Sequence, residues 1–302
     1  MTPVSYIQQK QIKNAIRRPF RGNASLNAGS QTTPQHAIAE RFVRARLAAT
    51  SLPEYPGALP ASLAQAYATQ EAALSMWPEA IVGWKVARIG PAHQAQFPEE
   101  RLIGPIFQRN VHVAAPGIVI DCPVFAGGFA AVEAEIGIYV RAAAPKGKID
   151  WTPATAADWV AEMCIGVEMA GSPLATLNEL GPGAVISDFG NNWGVIAGAV
   201  IPDWRSFDAE LACETFIDDV SVGKGSIAIP QTPLSAFAFA LNKAAQRGRP
   251  LRAGDYITTG LITGVHMIAP GQSSRISFGS CGEILCRAVR AQPFHSQQVN
   301  RA

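Results

Sequence analysis

Apolar positions recur at helical spacing from His36 to Ala49, where Ala37, Ile38, Phe42, Val43 and Leu47 fall on one face. The same spacing returns from Ala61 to Trp77 through Leu63, Ala66, Tyr67, Gln70, Ala73 and Leu74, and Pro53, Pro56 and Pro60 separate the two predicted helices. Beyond Trp77-Pro78 the pattern shortens into β-like runs bounded by Gly and Pro, at 81–87, 118–120, 132–140, 164–169, 195–200 and 211–217. A third helix is predicted over 233–246, ended by Gly248-Arg249-Pro250, and strands at 256–259, 275–278 and 283–289 close the chain. No repeat period appears, and no linker divides 80–290. The pattern predicts an α+β protein. A small helical N-terminal portion, 36–80, docks on a β-rich body of mixed or mostly antiparallel strands, 81–290, and tails over 1–35 and 291–302 flank both.

With 302 residues, 48% of them apolar and 16% charged, the chain is long enough to bury a sizeable core as one globular unit. Its formal charge is +2, yet residues 1–35 hold Lys10, Lys13, Arg17, Arg18 and Arg21 and no acid. The remainder is therefore net negative and offers no nucleic-acid-binding face. The basic segment is rich in Gln, Asn, Ser and Thr and predicts a flexible tail, although an Arg-rich, acid-free N-terminus also resembles an organellar transit peptide. No run of about 18 apolar residues and no secretory signal is present, so a cytoplasmic protein without a membrane span is expected. Cys122, Cys164, Cys213, Cys281 and Cys286 lack ligand spacing and predict reduced thiols, and the scattered histidines exclude a Cys/His metal site.

Chemistry concentrates in Val132-Glu-Ala-Glu-Ile-Gly-Ile-Tyr-Val140, where strand alternation puts Glu133 and Glu135 on one face and Val132, Ala134, Ile136 and Ile138 on the other. Alone, such a pair also fits a solvated face. Glu168 adds a lone carboxylate inside the apolar run 163–171, where burial without a partner would be costly. Three carboxylates of this kind suit a hard, octahedral cation such as Mg²⁺ or Mn²⁺ rather than zinc. Lys85, in Gly83-Trp-Lys-Val-Ala87, is another single charge in an apolar strand; it fits either a snorkelling edge lysine or a buried proton carrier whose ammonium form is disfavoured. Asp188 and Asn191, in Ser187-Asp-Phe-Gly-Asn-Asn192, and Thr259 and Thr263, each followed by glycine, fit turn chemistry or substrate contact equally well.

In order and spacing, several of these motifs resemble the 2-keto-4-pentenoate hydratase and 4-oxalocrotonate decarboxylase branch of the fumarylacetoacetate hydrolase superfamily. They are Gly-Trp-Lys-Val at 83–86, Glu-Ala-Glu at 133–135, Val-Glu at 167–168, Ser-Asp-x-x-x-Asn at 187–192, Pro-Leu-Ser-Ala-Phe-Ala-Phe-Ala-Leu at 233–241, Gly-Arg-Pro-Leu-Arg-Ala-Gly-Asp at 248–255, Thr-Thr-Gly at 258–260 and Pro-Gly at 270–271. The resemblance spans about 36–290. It implies a mixed β-sheet roll like that superfamily's C-terminal domain, with Mg²⁺ or Mn²⁺ held by Glu133, Glu135 and Glu168. It makes Lys85 the catalytic or carboxylate-binding lysine and places Asp188 beside the site as a second catalytic residue. The implied chemistry holds the carboxylate and 2-oxygen of a small 2-oxo or 2-hydroxydienoic acid on the metal, which stabilises an enolate while a proton moves along the chain.

The sequence departs from the hydratase pattern after Glu168, where Gly171, Ser172 and Pro173 replace an expected Asp-Ser-Arg, and at Phe189, where an Asn is usual. Ser172, Asn191, Thr259 and Thr263 are the expected substrate contacts. The resemblance implies a lyase of the hydratase type, as in aromatic-compound degradation. Decarboxylation of a 2-oxo-3-enedioate is the alternative within the branch. A third reading is an acylpyruvate-type C–C hydrolase using His93 with Glu99 or Glu100 in the loop 88–101. A fourth is a non-catalytic partner subunit. A homo-oligomer, alone or complexed with a pathway decarboxylase or hydratase, is the expected assembly.

Overall fold

A computed structural model of the chain describes residues 33–207 and 209–294. The basic tail, but for its last three residues, and most of the expected C-terminal tail lie outside the described residues. Among the described residues, four helices, α1 (Pro34–Ala48), α2 (Leu63–Met76), α3 (Pro182–Ser187) and α4 (Gln231–Gln246), accompany thirteen strands and two four-residue helical turns, Pro91–Gln94 and Pro153–Ala156. Thr33 and Ser62 cap α1 and α2 by accepting the backbone N–H of His36 and Gln65. The three long helices fall within two residues of the predicted spans.

The strands are β1 (Ile81–Arg88), β2 (Arg101–Phe107), β3 (Val111–Val113), β4 (Val119–Val124), β5 (Phe129–Val140), β6 (Val160–Ser172), β7 (Asn192–Val200), β8 (Glu210–Ile217), β9 (Val220–Ala228), β10 (Tyr256–Thr258), β11 (His266–Met267), β12 (Ser273–Ser277) and β13 (Glu283–Arg290). One sheet runs β2-β1-β10-β5-β6-β7-β3, with β11 added to β5, and the other runs β4-β13-β12-β8-β9. The pairs β1–β10, β3–β7 and β4–β13 are parallel and the rest antiparallel, so the sheets are mixed as expected. The larger sheet curls until β2 packs against β7.

Curling gives that sheet two different faces. Val132, Ala134, Ile136 and Ile138 of β5 share one core with Phe237 and Leu241 of α4 and with Ile276, Phe278 and Ile284 of the second sheet. Each such side chain contributes roughly 1.5–3 kcal/mol on burial. The opposite face is apolar at both ends, where Ile106, Tyr139, Cys164, Val195 and Tyr256 pack together and where Phe129 and Ala131 meet Ala170. Tyr256 lies across β5 and β6 so closely that a Cβ on Gly137 would stand 1.9 Å from its hydroxyl, which explains a glycine in mid-strand. Between these two patches the same face carries charge.

Four strands, β2, β3, β9 and β11, escaped the pattern. β2 contains Gly104-Pro105, which reads as a turn, yet proline is tolerated at the sheet's edge and Gly104 lets the Phe189 carbonyl approach to 2.2 Å of where a Cβ would sit. β9 is short of apolar residues because it is an exposed edge strand, joined to β8 by Asp218 and Asp219, both at positive φ as a two-residue hairpin turn requires.

Candidate metal centre

Antiparallel register places Glu133 of β5 directly opposite Glu168 of β6, and Glu135 two residues along faces Gly166, which has no side chain to crowd it. One carboxylate oxygen from each glutamate lies within 4.8 Å of the other two, the only such cluster among the described residues. All three are buried, at 6% exposure for Glu133, 1% for Glu135 and 0% for Glu168. Lys85 of β1, 4% exposed, brings its Nζ to 3.2 Å from Glu168 Oε1.

Each carboxylate is aimed by a neighbour. Asn192, at the start of β7, donates its Nδ2 to Glu168 Oε1 at 3.0 Å, while Glu168 Oε2 is buried without a hydrogen-bond partner. The backbone N–H of Gly260 donates to Glu135 Oε2 at 2.9 Å, and Thr259 holds that turn by donating Oγ1 to the Ile136 carbonyl at 2.8 Å. Burial, then the charge of Glu168, pushes Glu133 up to about 7 and raises Glu135 well above the usual carboxylate range. Burial alone would lower the Lys85 ammonium, but Glu168, Glu133 and Glu135 outweigh it and hold the proton more tightly than usual. Three crowded acids, one orphaned oxygen and a single lysine make a donor set that fits a hard divalent cation.

A cleft opens over the carboxylates in two adjoining halves. The larger, about 440 Å³, is lined by Glu133, Glu135, Thr259, Leu261 and Ile262 and reaches Glu210 and Thr232. The smaller, about 200 Å³, holds Lys85, Glu133, His93, Asn178 and Asn191. Arg88 and Leu261 border both.

Of the expected site residues, Lys85, Glu133, Glu135, Glu168, Asn191 and Thr259 gather here. Asp188 does not face the cleft. Its carboxylate is clasped by Arg46 of α1, at 2.5 Å to Oδ1 and 2.8 Å to Oδ2, and accepts the Ser172 hydroxyl at 2.6 Å. Ser172 in turn accepts the Leu174 N–H, so its hydroxyl is committed within that network. Thr263 bonds Thr215 Oγ1 at 2.8 Å and His266, also away from the cleft lining. Arg46 also donates to the Asn192 carbonyl at 3.1 Å, which links the pair to the residue that aims Glu168. Nothing in the sequence set Arg46 apart from Arg41 and Arg44 on the same helix, and an arginine on an amphipathic helix ordinarily faces solvent.

No family model matches the chain. Among curated proteins, the 4-oxalocrotonate decarboxylase of Pseudomonas putida is 28% identical over 109 residues, covering 35% of this chain and 41% of that protein. Two structures of 4-oxalocrotonate decarboxylase from P. putida G7, complexed with calcium and acetate and with magnesium and adipate, each align at a TM-score of 0.68 and 22% identity, over 87% of this chain and 100% of theirs. The chain shares its fold with 4-oxalocrotonate decarboxylase. The resemblance read from the motifs thus reappears both in a curated relative and in a common architecture, although the curated relative is matched over less than half its length.

Proposed function

We propose that the chain is a divalent-metal-dependent lyase that adds water to a small 2-hydroxy-2,4-dienoate or its 2-oxo-enoate form. The observation that carries this reading is the buried trio of carboxylates balanced only by Lys85. Glu133, Glu135 and Glu168 would hold Mg²⁺ or Mn²⁺, the ions of the resemblance; the fold neighbour was solved with magnesium and with calcium. When bound, the cation supplies positive charge beside the 2-oxo group and makes proton removal from the neighbouring carbon easier.

The chain's own residues do the rest. Lys85 keeps a proton on Nζ at the floor of the smaller half-cleft, where it can be passed to the substrate's carbon chain and taken back. Asn192 and the Gly260 N–H fix two of the carboxylates before any ligand arrives, so little reorganisation accompanies binding. Leu261 and Ile262 give the larger half an apolar wall, and Asn191 and Thr259 offer polar contacts in the two halves. Asp188 acts as a positioning residue through Arg46 and Asn192.

Loss of CO₂ from a 2-oxo-3-enedioate is a second reading, favoured by the similarity to the P. putida decarboxylase. An acylpyruvate-type C–C hydrolase is a third reading, in which Glu100 rather than Glu99 would partner His93, because Glu99 accepts Lys243 at 2.7 Å. Retention of all four charged groups supports catalysis over a scaffold role. Spectrophotometric turnover of 2-hydroxypenta-2,4-dienoate and 2-hydroxyhexa-2,4-dienedioate, with Mn²⁺ and with chelator, tests the reading. Metal-dependent loss of the diene with a hydrated product is expected. No turnover of either compound at saturating Mn²⁺ would overturn it.

A further inference from the structure

The smaller half of the cleft contains a polar atom that the fold itself leaves unsatisfied. Asn191 is 3% exposed and lines that half together with Lys85, yet its Oδ1 is buried with no hydrogen-bond partner among the described residues. Such orphans are uncommon, because an unpaired buried amide oxygen destabilises the fold. Its Nδ2 is committed elsewhere: it donates to Asn178 Oδ1 at 3.1 Å, which fixes the plane of the amide. The backbone is held as firmly. Phe189, Gly190 and Asn191 follow one another at φ 55°, 69° and 60°, and a Cβ on Gly190 would stand 2.8 Å from Gly104 Cα and 3.4 Å from Lys85 Cδ. Asparagine is one of the few side chains at ease in this left-handed region, and a run of it persists only where the surroundings impose it.

The two halves of the cleft differ in character. Glu133 lines both, so the carboxylates stand at their junction, and a ligand held there by its head extends into one half while the other stays open to small molecules. The larger has the volume for a carbon chain and apolar walls at Val86, Ile227, Leu261 and Ile262. The smaller, at about 200 Å³, is roomy enough for ordered water and offers Lys85, His93, Asn178 and Asn191 as polar partners beside Leu102 and Val185. A water in that half meets an acceptor in Asn191 and a proton carrier in Lys85.

Building on the function proposed above, we infer that Asn191, braced by Asn178, holds the water that adds to the substrate. One O–H of this water is donated to Asn191 Oδ1, which turns an oxygen lone pair toward the alkene carbon β to the 2-oxo group. The C–O bond forms there as the π pair of the alkene moves toward the 2-oxygen. The pair then returns to the carbon beside the 2-oxo group, which takes a proton from the Lys85 ammonium, and the proton released by the added water restores that ammonium. The product hydroxyl is left where the water stood, against Asn191.

That placement is readable at equilibrium, without turnover. Calorimetric titration of the Mn²⁺-loaded protein compares each enantiomer of 4-hydroxy-2-oxopentanoate with 2-oxopentanoate. One enantiomer should bind the parent about threefold to tenfold tighter than the acid without the hydroxyl, the scale of one neutral hydrogen bond. Asn191→Gly, which suits the left-handed backbone, should erase that preference. Asn178→Leu, at an exposed position where folding is not at stake, should weaken it by releasing the amide. With 2-hydroxypenta-2,4-dienoate, the ratio of hydrated to merely isomerised product should fall about 10²-fold in Asn191→Gly, the scale of a misplaced reactant. Equal binding of the hydroxylated and unhydroxylated acids by the parent, a preference that survives Asn191→Gly, or a product ratio within about threefold of the parent's would overturn the inference. A preference lost in Asn191→Gly in a protein that hydrates no dienoate would uphold the hydroxyl site at Asn191 and reject the proposed reaction instead.

Discussion

Two clusters of charge are buried in this fold, and they are balanced differently. Arg46 and Asp188 form a closed pair: both side chains are inaccessible, the guanidinium donates to two carboxylate oxygens and three carbonyls, and its faces lie against Phe125, Phe189 and Trp193. Glu133, Glu135 and Glu168 set three acids against Lys85, and one oxygen has no partner at all. The first cluster is self-sufficient and fastens α1 to the turn after α3. The second is tolerable only when protonated or when positive charge arrives from outside. Imbalance, rather than burial itself, separates the site from the fastener.

The sharpest contrast comes from removing one charge from each cluster. Glu135→Gln relieves repulsion, so the metal-free protein should be as stable as the parent or more so. Its Mn²⁺ affinity should fall about 10²-fold or more and turnover should vanish, read by calorimetry and the dienoate assay. Arg46→Met leaves Asp188 buried and uncompensated, which should cost about 3–5 kcal/mol in denaturant unfolding. Adding Asp188→Leu should restore much of that loss. If Arg46→Met were as stable as the parent, the pair would not be the fastener described. Lys85→Met keeps length and apolar volume, so folding and metal binding should survive while turnover drops about 10²-fold. Activity within about threefold of the parent would remove Lys85 from the chemistry.

The fold was largely legible because its long elements obey simple periods: the alternation of β5 put Val132 to Ile138 in the core and Glu133 and Glu135 opposite, as the structure has it. Glu168 was legible as a charge that an apolar strand does not explain. Asp188 and Ser172 were expected at the site but face Arg46 and Leu174, because a motif gives a residue's place along the chain and not the side its carboxylate turns to. Arg46 was invisible and Asn192 was legible only as the last residue of Ser-Asp-x-x-x-Asn, since their roles arise from contacts more than a hundred residues apart and, for Asn192, from β6–β7 register.

The central claim is that the three glutamates hold one divalent cation, and its pH dependence follows from their raised titration. A carboxylate that titrates near 7 when folded and near the usual value when unfolded makes the metal-free fold lose stability as pH rises through that window. The same protons must leave before a cation binds. Isothermal titration of Mn²⁺ into metal-free protein at pH 6 and pH 8 should therefore show one site per chain, proton release on binding, and affinity about tenfold or more weaker at pH 6. Absence of a site, or one whose affinity is the same at both pH values and survives Glu168→Gln, would contradict the account.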